Sequence, residues 1–190
     1  MKEKNRYRHI RLVIMFLIMT IYSLSTTMVN SALALSLALS NVGENLIILT
    51  GNITLSSNAL VSSRTNGNLT IDGNGYTISM GNNNFTLLDG INNQKLTFKN
   101  FKSTGSNFFT YENTFNRWDI LLDGTNNITT SFEVMFRSDD STSNFTALPG
   151  SNNTLTGTGG KTPFGLVESY GNVTIDNSRT LIDTRIGSAF

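Results

Sequence analysis

Short strand-like units recur along the chain from Leu46 onward. In each unit an apolar residue, a threonine and a second apolar residue follow one another: Ile53-Thr54-Leu55, Leu69-Thr70-Ile71, Tyr76-Thr77-Ile78, Phe85-Thr86-Leu87, Leu96-Thr97-Phe98 and Val173-Thr174-Ile175. Because successive side chains of a strand point to opposite faces, we expect the apolar pair inside and the threonine outside. Threonine suits an exposed strand position because it is β-branched. The pattern predicts an all-β fold.

Gly and Asn fill the segments between these units, as in Asp72-Gly73-Asn74-Gly75 and Asn126-Asn127. Such segments fit hairpins in an antiparallel sandwich, and they equally fit the turns of a right-handed parallel β-helix. Short strands, small to medium aliphatic interior residues and Asn side chains able to stack in ladders favour the β-helix. The repeat is irregular, although Thr54, Thr70 and Thr86 are spaced by 16 residues.

The N-terminus has the composition of a secretory signal peptide. Residues 1–11 are basic, and residues 12–24 (LVIMFLIMTIYSL) form an apolar run that is shorter than the roughly 20 residues needed to span a bilayer. Ala32-Leu33-Ala34 is the best cleavage site and Ser23-Leu24-Ser25 a second one, while a retained anchor is the alternative. We therefore expect a signal peptide at 1–34 and one domain at 35–190.

Residues 31–40 (SALALSLALS) fit two structures. Leu33/Leu37 and Leu35/Leu39 form i,i+4 pairs of a helix, whereas the strict alternation of the same residues also fits a strand. We favour a short N-terminal helix that caps the first coil, because an uncovered coil exposes unpaired backbone groups.

Charge and composition exclude several classes of function. From residue 35 onward there are 9 basic and 12 acidic residues, a net charge of −3, so nucleic-acid binding has no electrostatic support. The chain has no cysteine, and its one histidine, His9, lies in the predicted signal peptide. Histidine-based triads, thiol nucleophiles and ordinary zinc sites are therefore excluded from the predicted domain. We expect no enzyme, no catalytic or metal site and no cofactor.

Carboxylates and aromatic residues are the remaining candidates for chemistry. The carboxylates are scattered, and Asp139-Asp140 and the Asp-Gly pairs fit turns. A polysaccharide lyase or hydrolase acting through two carboxylates stays open as an alternative, because neighbouring coils bring side chains within working separation. Five aromatic residues within a short stretch are our candidates for ligand binding, or else they fill a wide coil: Phe108, Phe109, Tyr111, Phe115 and Trp118.

Five segments resemble, in their order, the pectate-lyase-like adhesive domain of Gram-positive surface proteins. They are NLIILTGNITLSS (45–57), NLTIDGNGYTISMG (68–81), LTFKN (96–100), WDILLDGTN (118–126) and GNVTI (171–175). The resemblance implies a β-helix like that of pectate lyases and a role in adhesion rather than lysis. No sorting or wall-binding motif follows these segments, so we expect a truncated protein whose β-helix is incomplete at the C-terminus.

The expected function is that of a secreted or cell-surface adhesin. Its partner would be a glycan or a host or matrix protein, bound through the long face of the β-helix. We expect cell-envelope association, no nucleic-acid partner, and contact with the membrane only through the signal segment before cleavage. A purely structural stalk and the carbohydrate-active enzyme are the alternatives.

Overall fold

A computed structural model gives the architecture of the chain. It describes residues 25–65, 67–88, 94–105, 108, 118–131, 136–138, 143–158, 167–169, 173–175 and 178–184. The helix α1 spans Ala32–Ser40. The strands are β1 (Ser25–Val29), β2 (Glu44–Leu49), β3 (Ile53–Thr54), β4 (Ala59–Val61), β5 (Asn68–Asp72), β6 (Thr77–Gly81), β7 (Phe85–Leu87), β8 (Gln94–Lys99), β9 (Lys102–Gly105), β10 (Trp118–Asp123), β11 (Thr125–Thr130), β12 (Phe136–Ser138), β13 (Phe145–Ala147), β14 (Asn152–Gly157), β15 (Val167–Ser169), β16 (Val173–Thr174) and β17 (Arg179–Thr184).

The strands form parallel sheets that wrap around one core. Sheet 1 has the order β1-β2-β5-β8-β10-β13-β16, and sheet 2 has the order β3-β6-β9-β11-β14-β17. Two short pairs, β4 with β7 and β12 with β15, form the third side. Each coil contributes one strand to sheet 1 and the next to sheet 2, and each pairs in parallel with the coil before it. The predicted parallel β-helix is confirmed, and the sandwich is excluded for the described strands.

Interior residues stack in register from coil to coil. In sheet 1, Ile47, Ile71, Phe98, Leu122 and Ala147 occupy one buried column. The predicted inward orientation of the apolar residues holds for the triplets that begin at 53, 69, 85 and 96. It is wrong for the triplets at 76 and 173, whose first residues are exposed.

The middle of the core is aromatic. The rings of Phe98 and Phe101 lie 4.8 Å apart, those of Phe98 and Phe108 5.0 Å, and those of Phe136 and Phe145 4.8 Å, in tilted or edge-to-face arrangements. Such geometries are favoured by the ring quadrupole. Phe85 and Phe98 lie inward as the triplet pattern predicts, and Phe101 and Phe108 fill the space beside them.

Helix α1 covers the first coil, as predicted. Ser31 is its N-cap and accepts a hydrogen bond from the Ala34 backbone N–H at 3.2 Å. Leu35, Ala38 and Leu39 are buried against the coil, whereas Leu33 and Leu37 on the opposite side of the helix face solvent. At the other end, the Arg64 guanidinium donates hydrogen bonds to the carbonyl oxygens of Leu39 and Asn41. Burial lowers the pKa of Arg64 to about 10, and the nearby charge of Glu44 opposes that shift.

Strand β1 was not expected from the sequence. It pairs in parallel with β2, and Val29 at its end is buried. The predicted domain start at residue 35 lies inside α1 and leaves out β1, which pairs with β2. The presence of the signal peptide itself remains a prediction, since residues 1–24 lie outside the described part of the chain.

Candidate binding surface

Five hydroxyl side chains form a column along the outer face of sheet 2. We call the set Thr54, Ser79, Thr104, Thr129 and Thr156 the hydroxyl ladder. The pairs Thr54–Ser79, Ser79–Thr104 and Thr129–Thr156 are register partners. Thr104 and Thr129 also lie side by side, because hydrogen bonds before and after them keep one register between β9 and β11. The Asn127 N–H donates to Phe101 O, and the Ser131 N–H donates to Gly105 O. The ladder therefore crosses five consecutive coils without interruption.

The ladder points to solvent because the residues beside it point inward. Each ladder residue follows a buried one, and these buried residues form their own column: Ile53, Ile78, Ser103, Ile128 and Leu155. All five ladder residues are exposed or half-exposed. Neighbouring parallel strands lie about 4.8 Å apart, so the hydroxyl groups repeat at that distance along a straight line. The core thus fixes a regular array of hydrogen-bonding groups on the surface.

A second polar column runs beside the hydroxyl ladder. It consists of Thr77, Lys102, Asn127 and Thr154, paired in register. Among the outward residues of β3, β6, β9, β11 and β14, Lys102 is the only charged one. The hydroxyl ladder and this column together are the sheet 2 face. Its groups donate and accept hydrogen bonds without a strong field of either sign.

The outer face of sheet 1 has a different character. Asp72, Lys99 and Asp123 occupy one column, and Lys95 faces Asp119 in another. The Lys99 Nζ lies 3.8 Å from Asp123 Oδ2, and both side chains are about two-fifths exposed, so the pair stabilises the fold little. The charges along this face alternate in sign and largely cancel.

The carboxylates of sheet 1 also hold turns and neighbouring coils. Asp119 Oδ1 accepts hydrogen bonds from the backbone N–H and the side-chain amide of Asn144, at 2.9 and 2.8 Å. Asp72 Oδ1 accepts one from the N–H of Asn74, and Asp123 Oδ1 accepts one from that of Gly124. Among the described residues no three acidic, His or Cys side chains group as metal ligands do. Asp139 and Asp140 lie outside the described residues.

Asparagine side chains stack between neighbouring coils, as predicted, although they lie in strands β11 and β14 and not in the turns. Asn126 and Asn153 are both buried, and the Asn126 side-chain amide donates to Asn153 Oδ1 at 2.7 Å. Asn126 Oδ1 accepts from the Phe101 N–H at 2.9 Å, and the Asn153 amide donates to Thr180 Oγ1 at 3.2 Å. This asparagine ladder links four successive coils directly beneath the sheet 2 face.

Two of the five aromatic residues predicted as ligand-binding candidates, Phe108 and Trp118, are among the described residues. Phe108 and Trp118 are each about 1% exposed. The Phe108 ring packs among the core phenylalanines, and Trp118 Nε1 donates to Leu88 O at 2.8 Å. These two rings are core residues and are not accessible to a ligand. Phe109, Tyr111 and Phe115 lie outside the described residues, so their predicted role in recognition remains a prediction.

The hydroxyl ladder was missed although the sequence carries its signal. Residues 54, 79, 104 and 129 are each 25 apart, and 156 follows 27 later. The spacing of 16 that links Thr54, Thr70 and Thr86 joins three different sheets, because these residues lie in β3, β5 and β7. A search for hydroxyl residues at the period of a whole coil would have found the ladder.

The fold and its outer faces define a capped parallel β-helix of the pectate lyase type with a flat, hydroxyl-lined side. The sequence model of the pectate lyase-like adhesive domain matches residues 26–146, and the chain belongs to that family. The resemblance inferred from the sequence is thereby confirmed. No curated protein and no solved structure matches the chain. Within the described residues, no helix is long and apolar enough to cross a membrane.

Proposed function

We propose that the domain is the binding part of an exported, cell-surface adhesin and that the sheet 2 face binds a glycan. The main observation that supports this proposal is the hydroxyl ladder, in which five hydroxyl groups lie in register on a face with one charged residue. Hydroxyl and amide groups exchange hydrogen bonds with the hydroxyl groups of a sugar chain. Membership of an adhesive domain family supports a binding role outside the cell.

The chemistry of the two sheets favours the sheet 2 face over the sheet 1 face. On sheet 1, Asp72, Asp119 and Asp123 already accept hydrogen bonds from backbone groups, and Lys99 is paired with Asp123. A ligand there would have to replace those contacts. On sheet 2 the ladder hydroxyl groups lie on a rigid surface, which reduces the entropy lost on binding. A host or matrix protein is the other partner class, and it would bury the same flat face.

We infer that binding proceeds without catalysis. The three described carboxylates on the outer face of sheet 1 stabilise turns and coil-to-coil contacts, and Asp72 and Asp123 are separated in their column by Lys99. A glycosidase needs one carboxyl group free to donate a proton and a second free to attack or to activate water. A structural stalk would need no face that differs from the others, whereas the column of five hydroxyl groups on sheet 2 is unbroken and the outward Thr70–Thr97 pair of sheet 1 is followed by Leu121.

The proposal is tested by removing hydroxyl groups without changing the shape of the strand. The test variant is Thr104→Val/Thr129→Val, and the matched control is Thr70→Val/Thr97→Val, register partners on sheet 1. Two lost hydrogen bonds, each worth about 0.5–1.5 kcal/mol, should weaken glycan binding roughly 5- to 150-fold. The control should bind like the parent protein.

Binding is measured with the exported full chain on immobilised glycans and matrix proteins, with thermal melting as a check of folding. Equal losses in the two variants would refute the assignment to sheet 2. Binding of a matrix protein alone would replace the glycan by a protein partner. Shortened polysaccharide products in the same incubations would establish the carbohydrate-active enzyme in place of the adhesin.

A further inference from the structure

We infer that the leader is removed between Ser25 and Thr26, so that the mature protein begins with strand β1. This inference rests on the proposed export of the chain. It replaces the cleavage after Ala34 that the small-residue pattern of the sequence favours.

Strand β1 is an integral part of the first coil. Residues 26–29 pair with residues 46–49 of β2 in unbroken parallel register. Val29 is about 1% exposed, and the Thr50 backbone N–H donates to Val29 O at 2.8 Å. β1 therefore occupies the edge of sheet 1, so without it the N–H and C=O groups of β2 would have no partner on that side.

Cleavage after Ala34 would damage the cap as well as the sheet. It would remove β1, the N-cap Ser31 and the residues of the first helical turn, including Ala32 and Ala34, which pack against the core. The remaining part of α1 would start without an N-cap, and a short helix depends strongly on such a cap. A mature chain beginning at Leu35 would therefore lack both β1 and the complete helix that covers the first coil.

Three independent features coincide at the Ser25–Thr26 bond. The pairing of β1 with β2 is irregular between these two residues and regular after them. The match to the family model begins at residue 26. Ser23-Leu24-Ser25 places small residues at the third and first positions before the bond, as signal peptidases require, directly after the apolar run 12–24. Cleavage here removes the leader and leaves the regular part of β1 intact.

The new N-terminus would also give a buried carboxylate a charged partner. Glu44 is fully buried, and its Oε2 accepts hydrogen bonds from Ser25 Oγ at 3.0 Å and Thr27 Oγ1 at 2.5 Å. Its Oε1 has no partner among the described residues. Hydrolysis of the Ser25–Thr26 peptide bond by water leaves a carboxylate on Ser25 and an α-ammonium group on Thr26, between the two residues that contact Glu44. The ammonium group would then be available as a donor to this carboxylate in place of the Ser25 hydroxyl, which leaves with the leader.

The experiment expresses the full chain in an export-competent bacterial host and determines the N-terminus of the exported protein by Edman sequencing and intact mass. We expect Thr26 as the first residue. The variant Ser25→Leu places a large side chain directly before the bond and should lower the yield of that product at least tenfold. Because residue 25 is discarded, this change leaves the mature product itself unaltered. The matched control Ala34→Leu should leave the N-terminal residue of the exported protein unchanged.

A first residue at Leu35, or processing that responds to Ala34→Leu and not to Ser25→Leu, would overturn the inference. An exported chain that begins at any other residue, or an uncleaved chain, would overturn it as well. These outcomes are separable from the failure of the proposed function. A protein that begins with Thr26 but binds no glycan or protein refutes only the binding role, and one that begins with Leu35 and binds refutes only the cleavage site.

Discussion

Replacement of Asn126 by alanine should destabilise the solenoid strongly, although Asn126 is buried beneath the sheet 2 face. Its Oδ1 accepts the hydrogen bond of the Phe101 N–H at 2.9 Å, and its amide donates to Asp123 O at 2.8 Å and to Asn153 Oδ1 at 2.7 Å. The side chain is about 1% exposed, so water does not replace these contacts. Asn126→Ala therefore leaves buried polar groups unpaired in the coil before it and in the coil after it.

The magnitude follows from the groups left without a partner. The Phe101 N–H and Asn153 Oδ1 each lose a buried hydrogen bond, and an unsatisfied buried group costs about 1–3 kcal/mol. The expected loss in the free energy of unfolding is therefore about 2–6 kcal/mol. With a urea m-value of about 2 kcal/mol/M, this corresponds to a fall in the unfolding midpoint of about 1–3 M.

The assay is urea denaturation of the purified protein followed by far-UV circular dichroism. Asn127→Ala is the matched control, because Asn127 is the next residue of the same strand and its side chain faces solvent. The control should change the free energy of unfolding by less than about 0.5 kcal/mol. Midpoints of the two variants that agree within error would refute the claim that the asparagine ladder holds the coils together. A double-mutant cycle with Asn153→Ala should further show a coupling energy above about 0.5 kcal/mol.

Two further substitutions test the packing of the coils by the same denaturation assay. Ser103 Oγ is buried and has no hydrogen-bond partner among the described residues. Ser103→Ala should therefore leave the free energy of unfolding unchanged or raise it by about 1 kcal/mol. A decrease of more than about 1 kcal/mol would show that this hydroxyl has a partner. A Cβ on Gly73 would lie 2.4 Å from Asn100 O and 2.8 Å from Phe101 Cα, both backbone atoms of the next coil. Gly73→Ala should therefore cost at least about 2 kcal/mol, whereas Gly43→Ala, whose nearest atom is 3.6 Å away, should cost less than about 1 kcal/mol; similar costs would contradict the close approach.

The sequence predicted the features that depend on local alternation and on turn chemistry. The buried and exposed residues of Leu69-Thr70-Ile71 follow from the period of a strand. The cap follows from the stacking of Leu35 on Leu39, and the asparagine ladders follow from amide groups in successive coils. In each case the residues that form the pattern lie close together in the sequence, and their packing in the folded chain agrees with the pattern.

The features that the sequence did not predict depend on which coil lies next to which. Tyr76 has the sequence context of an interior residue, but it precedes β6 in a turn and is exposed. The phenylalanine core depends on the distance between three sheets, which no single strand encodes. β1 was missed because it follows directly on the apolar run of the predicted leader, and its partner β2 is recognised only when the two are paired.

Stability and the proposed binding use different faces of the same strands, and this separation leads to a prediction about the ligand. Asn126 and Ile128 of β11 point inward and hold the coils, whereas Asn127 and Thr129 point outward. Because the register carries each outward position to the next coil, a favourable contact at Thr104 is repeated about 4.8 Å away at Thr129 and again at Thr156. A ligand with its own linear repeat gains from several of these contacts at once, so its affinity should grow with its length until it spans the ladder. Short ligands bound as tightly as long ones would place the binding site elsewhere on the solenoid.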